Sequence, residues 1–177
     1  MSTQQSDDPA PALSIPTGTW QVDPAASSLE FRVKTFWGLS TVTGTFSSYR
    51  GTLVVDEQGE ATGELIVDVE SLDTKNAKRD EHLRSPDFFH SERHPTIRFL
   101  STAITARPGG LTIDGELHVG EKVARLQLPV TVVPAAEGRL RLQSTGSVPR
   151  EHVGLLWNRA GMIRGDVLLS GDIELVP

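Results

Sequence analysis

The feature that most constrains this chain is an alternation of apolar and polar residues with a period of two. It runs from about residue 18 to the C-terminus and is broken at length once, between Asp73 and Ser101. A period of two is that of a half-buried strand, with one face on a core and the other in water. The pattern is cleanest where Leu140, Leu142, Ser144, Gly146 and Val148 oppose Arg139, Arg141, Gln143 and Thr145. It recurs in Leu29, Phe31 and Val33, in Val42, Gly44 and Phe46, and in Leu65, Val67 and Val69, where Ile66 interrupts an otherwise acidic outer face. Further along it continues in Ile97, Phe99, Ser101 and Ala103, in Leu111 to Leu117, in Ala124, Leu126, Leu128, Val130 and Val132, and in Val167, Leu169, Gly171, Ile173 and Leu175. Short glycine- or proline-bearing turns separate these runs, at Glu57 to Glu60, Pro108 to Gly110, Gly120 to Lys122 and Pro134 to Gly138. About eight strands joined this way close most simply as an all-β, antiparallel up-and-down barrel. Asp23-Pro24 reads as the turn of a first hairpin, and Phe36-Trp37-Gly38 as a bulge or wider loop at a rim. Pro129 marks a bulge or an unpaired position, and Pro149 to Gly161 a second irregular piece.

Within that break, the segment from Asp73 to Phe89 is too charged to join a wall. Asp73 or Thr74 is expected to cap a short helix over Lys75 to Arg84, which Ser85-Pro86 ends because a residue before proline is pushed out of the helical region. Phe88 and Phe89 supply an apolar plug. A segment of this kind is expected to cap or flank one barrel opening.

Bulk composition narrows the function classes. At 177 residues, 37% of them hydrophobic, the chain fits one domain. Residues 1–17 read as a polar, proline-bearing disordered leader and 18–177 as a single barrel. A net charge of -6 argues against a nucleic-acid partner, which needs a basic face, and against attraction to an anionic membrane. There is no cysteine, hence no disulfide framework, thiolate catalysis or Cys-based zinc site. The N-terminal residues lack a positive region followed by an apolar run, so a cytoplasmic location is expected, and no segment approaches a membrane span, so no stable insertion is expected. The assembly expected is a monomer or a homodimer.

Reactive constellations are sparse. Asp80, His82 and Ser85 have the residue types of a hydrolytic triad but lie within about a helical turn, where such triads draw on separate elements. His90 and His94 have a metal-seating spacing but no third ligand, so neither a metal nor a cofactor is expected. Arg79, Asp80, His82 and Arg84 form a charged cluster that either pins the helical segment or meets a polar head group at a rim. Gly44 is either a bend needed for closure or room for a ligand.

Several stretches resemble the YceI-like family of polyisoprenoid-binding, lipocalin-like barrels. They are Arg79-Asp80-Glu81-His82-Leu83-Arg84-Ser85, Phe88-Phe89 and His94-Pro95-Thr96-Ile97-Arg98-Phe99, with Trp20 to Pro24, Ser28 to Phe31, Val42 to Phe46, Gly115 to Leu117 and Gly165 to Val167. The resemblance covers nearly everything after the leader. Arg150 and Gly154 resemble a second motif of the family, which implies that Arg150 sits near the same rim. Ala26 and Thr35 depart from it, standing where histidines are common, so no head-group role is implied for histidines there.

The resemblance implies a binder, carrier, storage or stress-related protein whose ligand is an isoprenoid-like lipid or quinone lying along the barrel. The expected wall is Phe31, Val33, Val42, Gly44, Phe46, Leu65, Val67, Val69, Phe88, Phe89, Ile97, Phe99, Leu126, Leu128, Leu142, Val167 and Leu169. Arg79, Asp80, His82, Arg84 and Arg150 are the expected head-group or lid residues. Gly44, Gly146 and Gly171 are small inward positions that leave volume. At about 0.8 kcal/mol per buried CH₂, roughly twenty carbons give on the order of 16 kcal/mol gross, enough to hold a tail without polar help. The rivals are an enzyme acting on a hydrophobic small molecule, with Asp80 or His82 as general base, and a ligand-free barrel packed solid.

Overall fold

A computed structural model describes residues 15–177. In chain order the strands are β1 (Gly18–Val22), β2 (Ser28–Thr35), β3 (Ser40–Phe46), β4 (Tyr49–Val55), β5 (Ala61–Asp68), β6 (Leu72–Asp73), β7 (Thr96–Arg107), β8 (Gly110–Val119), β9 (Lys122–Pro134), β10 (Leu140–Val148) and β11 (Arg164–Val176). One helix, α1, spans Ala77–Arg84.

All neighbouring strands pair antiparallel, and β1 closes the sheet onto β11. Three pairs of segments are halves of single bent strands. β1 and β2 run successively along the same edge of β11, with Val22 opposite Leu175 and Ser28 opposite Asp172. β3 and β4 follow them, opposite β2 and β1 respectively, and β6 and β5 follow those. Eleven segments thus make eight strands in sequential order, the closed up-and-down barrel that the alternation implies.

The bends correct two readings. Asp23-Pro24 is not a hairpin turn. Residues 23–27 form a corner within one strand: the Asp23 side chain accepts from the Ala25 amide at 3.0 Å, and Ser27 Oγ accepts from the Glu174 amide at 2.8 Å. The alternation of β5 ends at Asp68, because Val69–Ser71 winds into a 3₁₀ turn before β6. A bulge between Ser101 and Ala103 likewise reverses the faces of β7, so Ile104 points inward where Ala103 was expected. Pro129 is where β9 leaves β10. The last residue pair is Val130 with Ser144, and the Ser144 hydroxyl donates to the Pro129 carbonyl at 2.8 Å.

The strand ends define a closed and a looped end. At the closed end Ile15, Trp20, Leu53, Val55, Leu111, Val130, Leu140 and Leu175 pack as one buried cluster. Trp20 Nε1 donates to the Pro16 carbonyl at 3.0 Å, so the barrel takes in the last residues of the expected leader; residues 1–14 of that leader lie outside the described residues. Beside this plug Glu174, with its side chain 10% exposed, accepts from Arg139 at 3.0 Å and Arg141 at 2.7 Å, and Arg139 also reaches Asp23 at 3.1 Å. These hydrogen bonds, from Arg139 first and then Arg141, hold the Glu174 carboxyl below its ordinary value. The looped end carries the β2–β3 loop, the segment containing α1, the β8–β9 turn and the long β10–β11 connection.

Candidate functional site

Between the plug and the looped end the barrel encloses a cavity of about 530 Å³, within the roughly 300–1,000 Å³ usual for small-molecule sites. Its wall comes from inward positions of successive strands, as the period-two pattern requires. Phe31, Val33, Val42, Phe46, Leu65, Val67, Ile97, Phe99, Leu126, Leu128, Leu142, Val167 and Leu169 all line it, together with Phe88 and Phe89 from the turn after α1.

Two expected wall residues do not line it. Gly44 sits opposite Phe31 on the neighbouring strand, and a Cβ there would lie 2.3 Å from the Phe31 ring. The ring covers the glycine, so the space beside Gly44 is taken by Phe31 rather than left for a ligand. The glycine lets an aromatic side chain lie flat against the wall. Gly146 does the same for Leu128, whose Cδ2 would be 2.5 Å from an added Cβ, whereas Gly171 makes only ordinary contact with Leu29. Val69 is 1% exposed but lies in the 3₁₀ turn, its amide donating to the Pro95 carbonyl at 2.9 Å, away from the cavity.

The looped end is built by α1 and the β10–β11 connection. The cap of α1 is Asn76, whose side chain accepts from the Arg79 amide at 3.0 Å, rather than Asp73 or Thr74. Lys75 has φ 63°, which stops the helix from starting earlier, and Asp73 instead accepts from the Lys75 amide at 2.7 Å. Ser85 ends the helix before Pro86, as the sequence requires.

The charged cluster then divides in two. Asp80 is 7% exposed and accepts from the amide of buried Thr74 at 2.9 Å and from its hydroxyl. Arg84 donates to the carbonyls of Leu72 at 2.6 Å and Glu70 at 3.1 Å. Neither lines the cavity; Asp80 ties the helix to Thr74, just after β6, and Arg84 ties it to β6 and the 3₁₀ turn. Arg79 and His82, by contrast, face the cavity. Arg79 is oriented by Thr74, its Nε donating to the hydroxyl at 2.8 Å and its Nη2 to the carbonyl at 2.7 Å. His82 Nε2 lies 2.8 Å from Asp87 Oδ2, and its ring meets Trp157 edge-on at 4.6 Å and Phe88 at 5.1 Å.

Arg150 reaches the same opening from the other side. Its Nη1 donates to the Leu155 carbonyl at 3.3 Å, while its Nε, and the Oγ1 of Thr35, which also lines the cavity, are buried without a partner. A buried donor left unpaired is costly, so the opening has unspent hydrogen-bonding capacity. Trp157, Leu155, Met162 and Ile163 complete this rim, and the period-two reading misses all four because they lie in an irregular connection. The apolar run Leu155-Leu156-Trp157 in a loop is their one signal.

His90 and His94 stack edge to face at 6.1 Å, and no cluster of three metal-ligating side chains occurs among the described residues. No helix among them is long and apolar enough to cross a membrane.

Fold and interior together define a class: a closed antiparallel barrel of lipocalin type, with an apolar cavity that opens among loops bearing arginine and aromatic side chains. The YceI-like domain profile matches residues 20–175. The chain belongs to the YceI-like family. A UPF0312 protein of Photorhabdus laumondii is 38% identical over 82 residues, 45% of this chain and 43% of its own length. Protein YceI of Escherichia coli is 36% identical over 91 residues, covering 50% and 47%. This chain therefore spans less than half the length of these curated relatives. Among solved structures, Burkholderia cenocepacia BcnA superposes with a TM-score of 0.77 at 19% identity, over 86% of this chain and 98% of that one. A polyisoprenoid binding domain from Saccharophagus degradans, implicated in plant cell wall breakdown, gives 0.70 at 16%, over 88% and 97%. At such identities the likeness is one of fold.

Proposed function

We propose that this protein binds one long isoprenoid-type lipid or quinone, its tail along the barrel and its polar head among Arg79, His82 and Arg150, and that it serves as a carrier or store rather than an enzyme. The observation that carries this reading is the unfilled interior: a barrel used only as a scaffold would pack its inward side chains to the density of other cores. The wall is almost wholly aliphatic and aromatic, so the free energy of binding comes from the tail. The unpartnered Arg150 Nε and Thr35 Oγ1 at the opening match a head group that carries acceptors. The Saccharophagus degradans neighbour is a polyisoprenoid binding domain, which supports the same ligand class by analogy.

The enzymatic alternative loses one of its two candidate bases. Asp80 is engaged by Thr74 and does not face the cavity, whereas His82 faces it with Asp87 on its Nε2.

Trp157 lines the opening and supplies an optical test. Lipid-stripped protein titrated with a long-chain isoprenoid quinone should show saturable quenching of tryptophan fluorescence at one quinone per chain, and Trp157→Phe should lose most of it. Linear, unsaturable quenching equal to that of free tryptophan would remove the proposal's support.

A further inference from the structure

Beside the opening the chain displays large apolar side chains to solvent. In the β2–β3 loop Phe36 is 55%, Trp37 53% and Leu39 89% exposed, and across from them in the β10–β11 connection Leu156 is 65% exposed. The two loops are joined: the Trp37 amide donates to the Met162 carbonyl at 3.0 Å and its Nε1 to the Ala160 carbonyl at 3.2 Å. Phe36 and Trp37 hold φ of 48° and 55°, a region bulky residues avoid, so backbone strain is borne where the side chains gain no burial. Phe36 also lines the cavity, which makes this crown an outward continuation of the cavity wall.

The two segments that carry the crown have a charge opposite in sign to that of the whole chain. Residues 34–40 and 155–165 contain Lys34, Arg159 and Arg164 and no carboxylate, in a chain of net charge -6. Strand register sets Lys34 directly opposite Arg164, a like-charge pair that disfavours itself, and none of the three cations makes an ion pair among the described residues. Unpaired cations ringing exposed tryptophan, phenylalanine and leucine are the chemistry of a surface that enters the headgroup layer of an anionic bilayer.

We propose that this crown is a membrane-docking face that seats the barrel opening on an anionic lipid surface. It deepens the carrier reading by naming where the ligand is collected or delivered, but docking itself requires nothing inside the cavity. The net charge keeps the rest of the barrel off the bilayer and so orients the approach.

The test is flotation with vesicles of phosphatidylcholine containing about a third phosphatidylglycerol, against phosphatidylcholine alone. The full chain should float with the anionic vesicles, less so at high salt, and stay behind with the neutral ones. Trp37→Glu combined with Leu39→Glu should lower partitioning at least tenfold. Lys34→Gln and Arg164→Gln should each lower it by about fivefold, the loss expected for one cation at an anionic surface. Trp37 and Leu39 do not line the cavity, so the quinone affinity of the double variant, read from the quenching of Trp157, should be unchanged. Leu39→Glu alone, at a site 89% exposed, guards against a folding defect and should retain the wild-type melting temperature while floating less.

Wild type that remains in the bottom fraction at low salt, or a double variant that floats as well as wild type, overturns the proposal. So does a dimer in solution that the double variant dissolves while neither protein floats. Quinone binding without flotation leaves the carrier reading intact and defeats docking; flotation without saturable quinone binding does the reverse.

Discussion

Val67→Trp separates an open barrel from a filled one. Val67 sits mid-strand on β5, opposite Tyr49 on β4 and Ile97 on β7, is 6% exposed, and points into the cavity. In a barrel packed solid, the added ring would overfill a dense core and cost about 1–3 kcal/mol or more. Here it enters about 530 Å³ of open space. Burial of the new ring, of order 1–2 kcal/mol at about 25 cal/mol per Å², offsets the ordering of the side chain. The lipid-free variant should therefore melt within about 4 °C of wild type, since 1 kcal/mol shifts a domain of this size by about 2–4 °C. The lipid response should differ more. At a free quinone concentration a hundred times the Kd, binding stabilises wild type by about 2.7 kcal/mol, a rise of roughly 5–11 °C. Val67→Trp fills the same space and should show little of that rise. Differential scanning fluorimetry on both proteins, with and without quinone, measures all four values. A drop of more than about 6 °C in the lipid-free variant, together with no quinone response in wild type, would refute the cavity.

Three further perturbations test the supporting structure. Gly44→Ala places a Cβ 2.3 Å from the Phe31 ring, and ordinary contact begins near 3.4 Å, so the ring must retreat into the cavity. Loss of about 1 kcal/mol, the low end for overpacking, should accompany weaker quinone binding; an unchanged denaturant midpoint would contradict that packing. Asp80→Ala leaves the buried Thr74 amide unpartnered and should cost about 1–3 kcal/mol, with Asp80→Asn milder, and faster amide exchange in α1 is the readout. A variant as stable as wild type but dead in lipid binding would instead make Asp80 a ligand contact. Because the folded Glu174 value lies below its ordinary 4.5, the stability it contributes is complete above 4.5 and is lost as pH falls through the lower folded value. Wild type should thus lose more stability than Glu174→Gln on acidification below that point, and parallel pH curves would show that the Arg139 and Arg141 hydrogen bonds contribute nothing.

The wall of the barrel is legible in the sequence because strand periodicity is a local property: Leu142, Val148, Val167 and Leu169 point inward wherever the ladder is regular. Legibility ends where the ladder breaks. The 3₁₀ turn at Val69 ends the alternation of β5 and the bulge at Ser101 reverses the faces of β7, and neither carries a glycine or proline to announce it. Gly44 is ambiguous in sequence because its role depends on Phe31, a partner thirteen positions away that only the register identifies. The charged cluster stands out as a unit, but its division does not. Whether Asp80 and Arg84 tie down the backbone while Arg79 and His82 face the cavity depends on where the helix starts, and that turns on the positive φ of Lys75. Trp157 and the rest of the β10–β11 rim lie beyond reach, since an irregular connection has no period from which to read a face.

The most direct measurement is a native mass spectrum of the full chain as purified from bacterial cells. The account predicts the 19.2 kDa chain carrying a single lipid-sized adduct, which organic extraction releases and which supplied isoprenoid quinone restores one per chain. A spectrum of bare chain alone, unchanged after incubation with quinone, would contradict it.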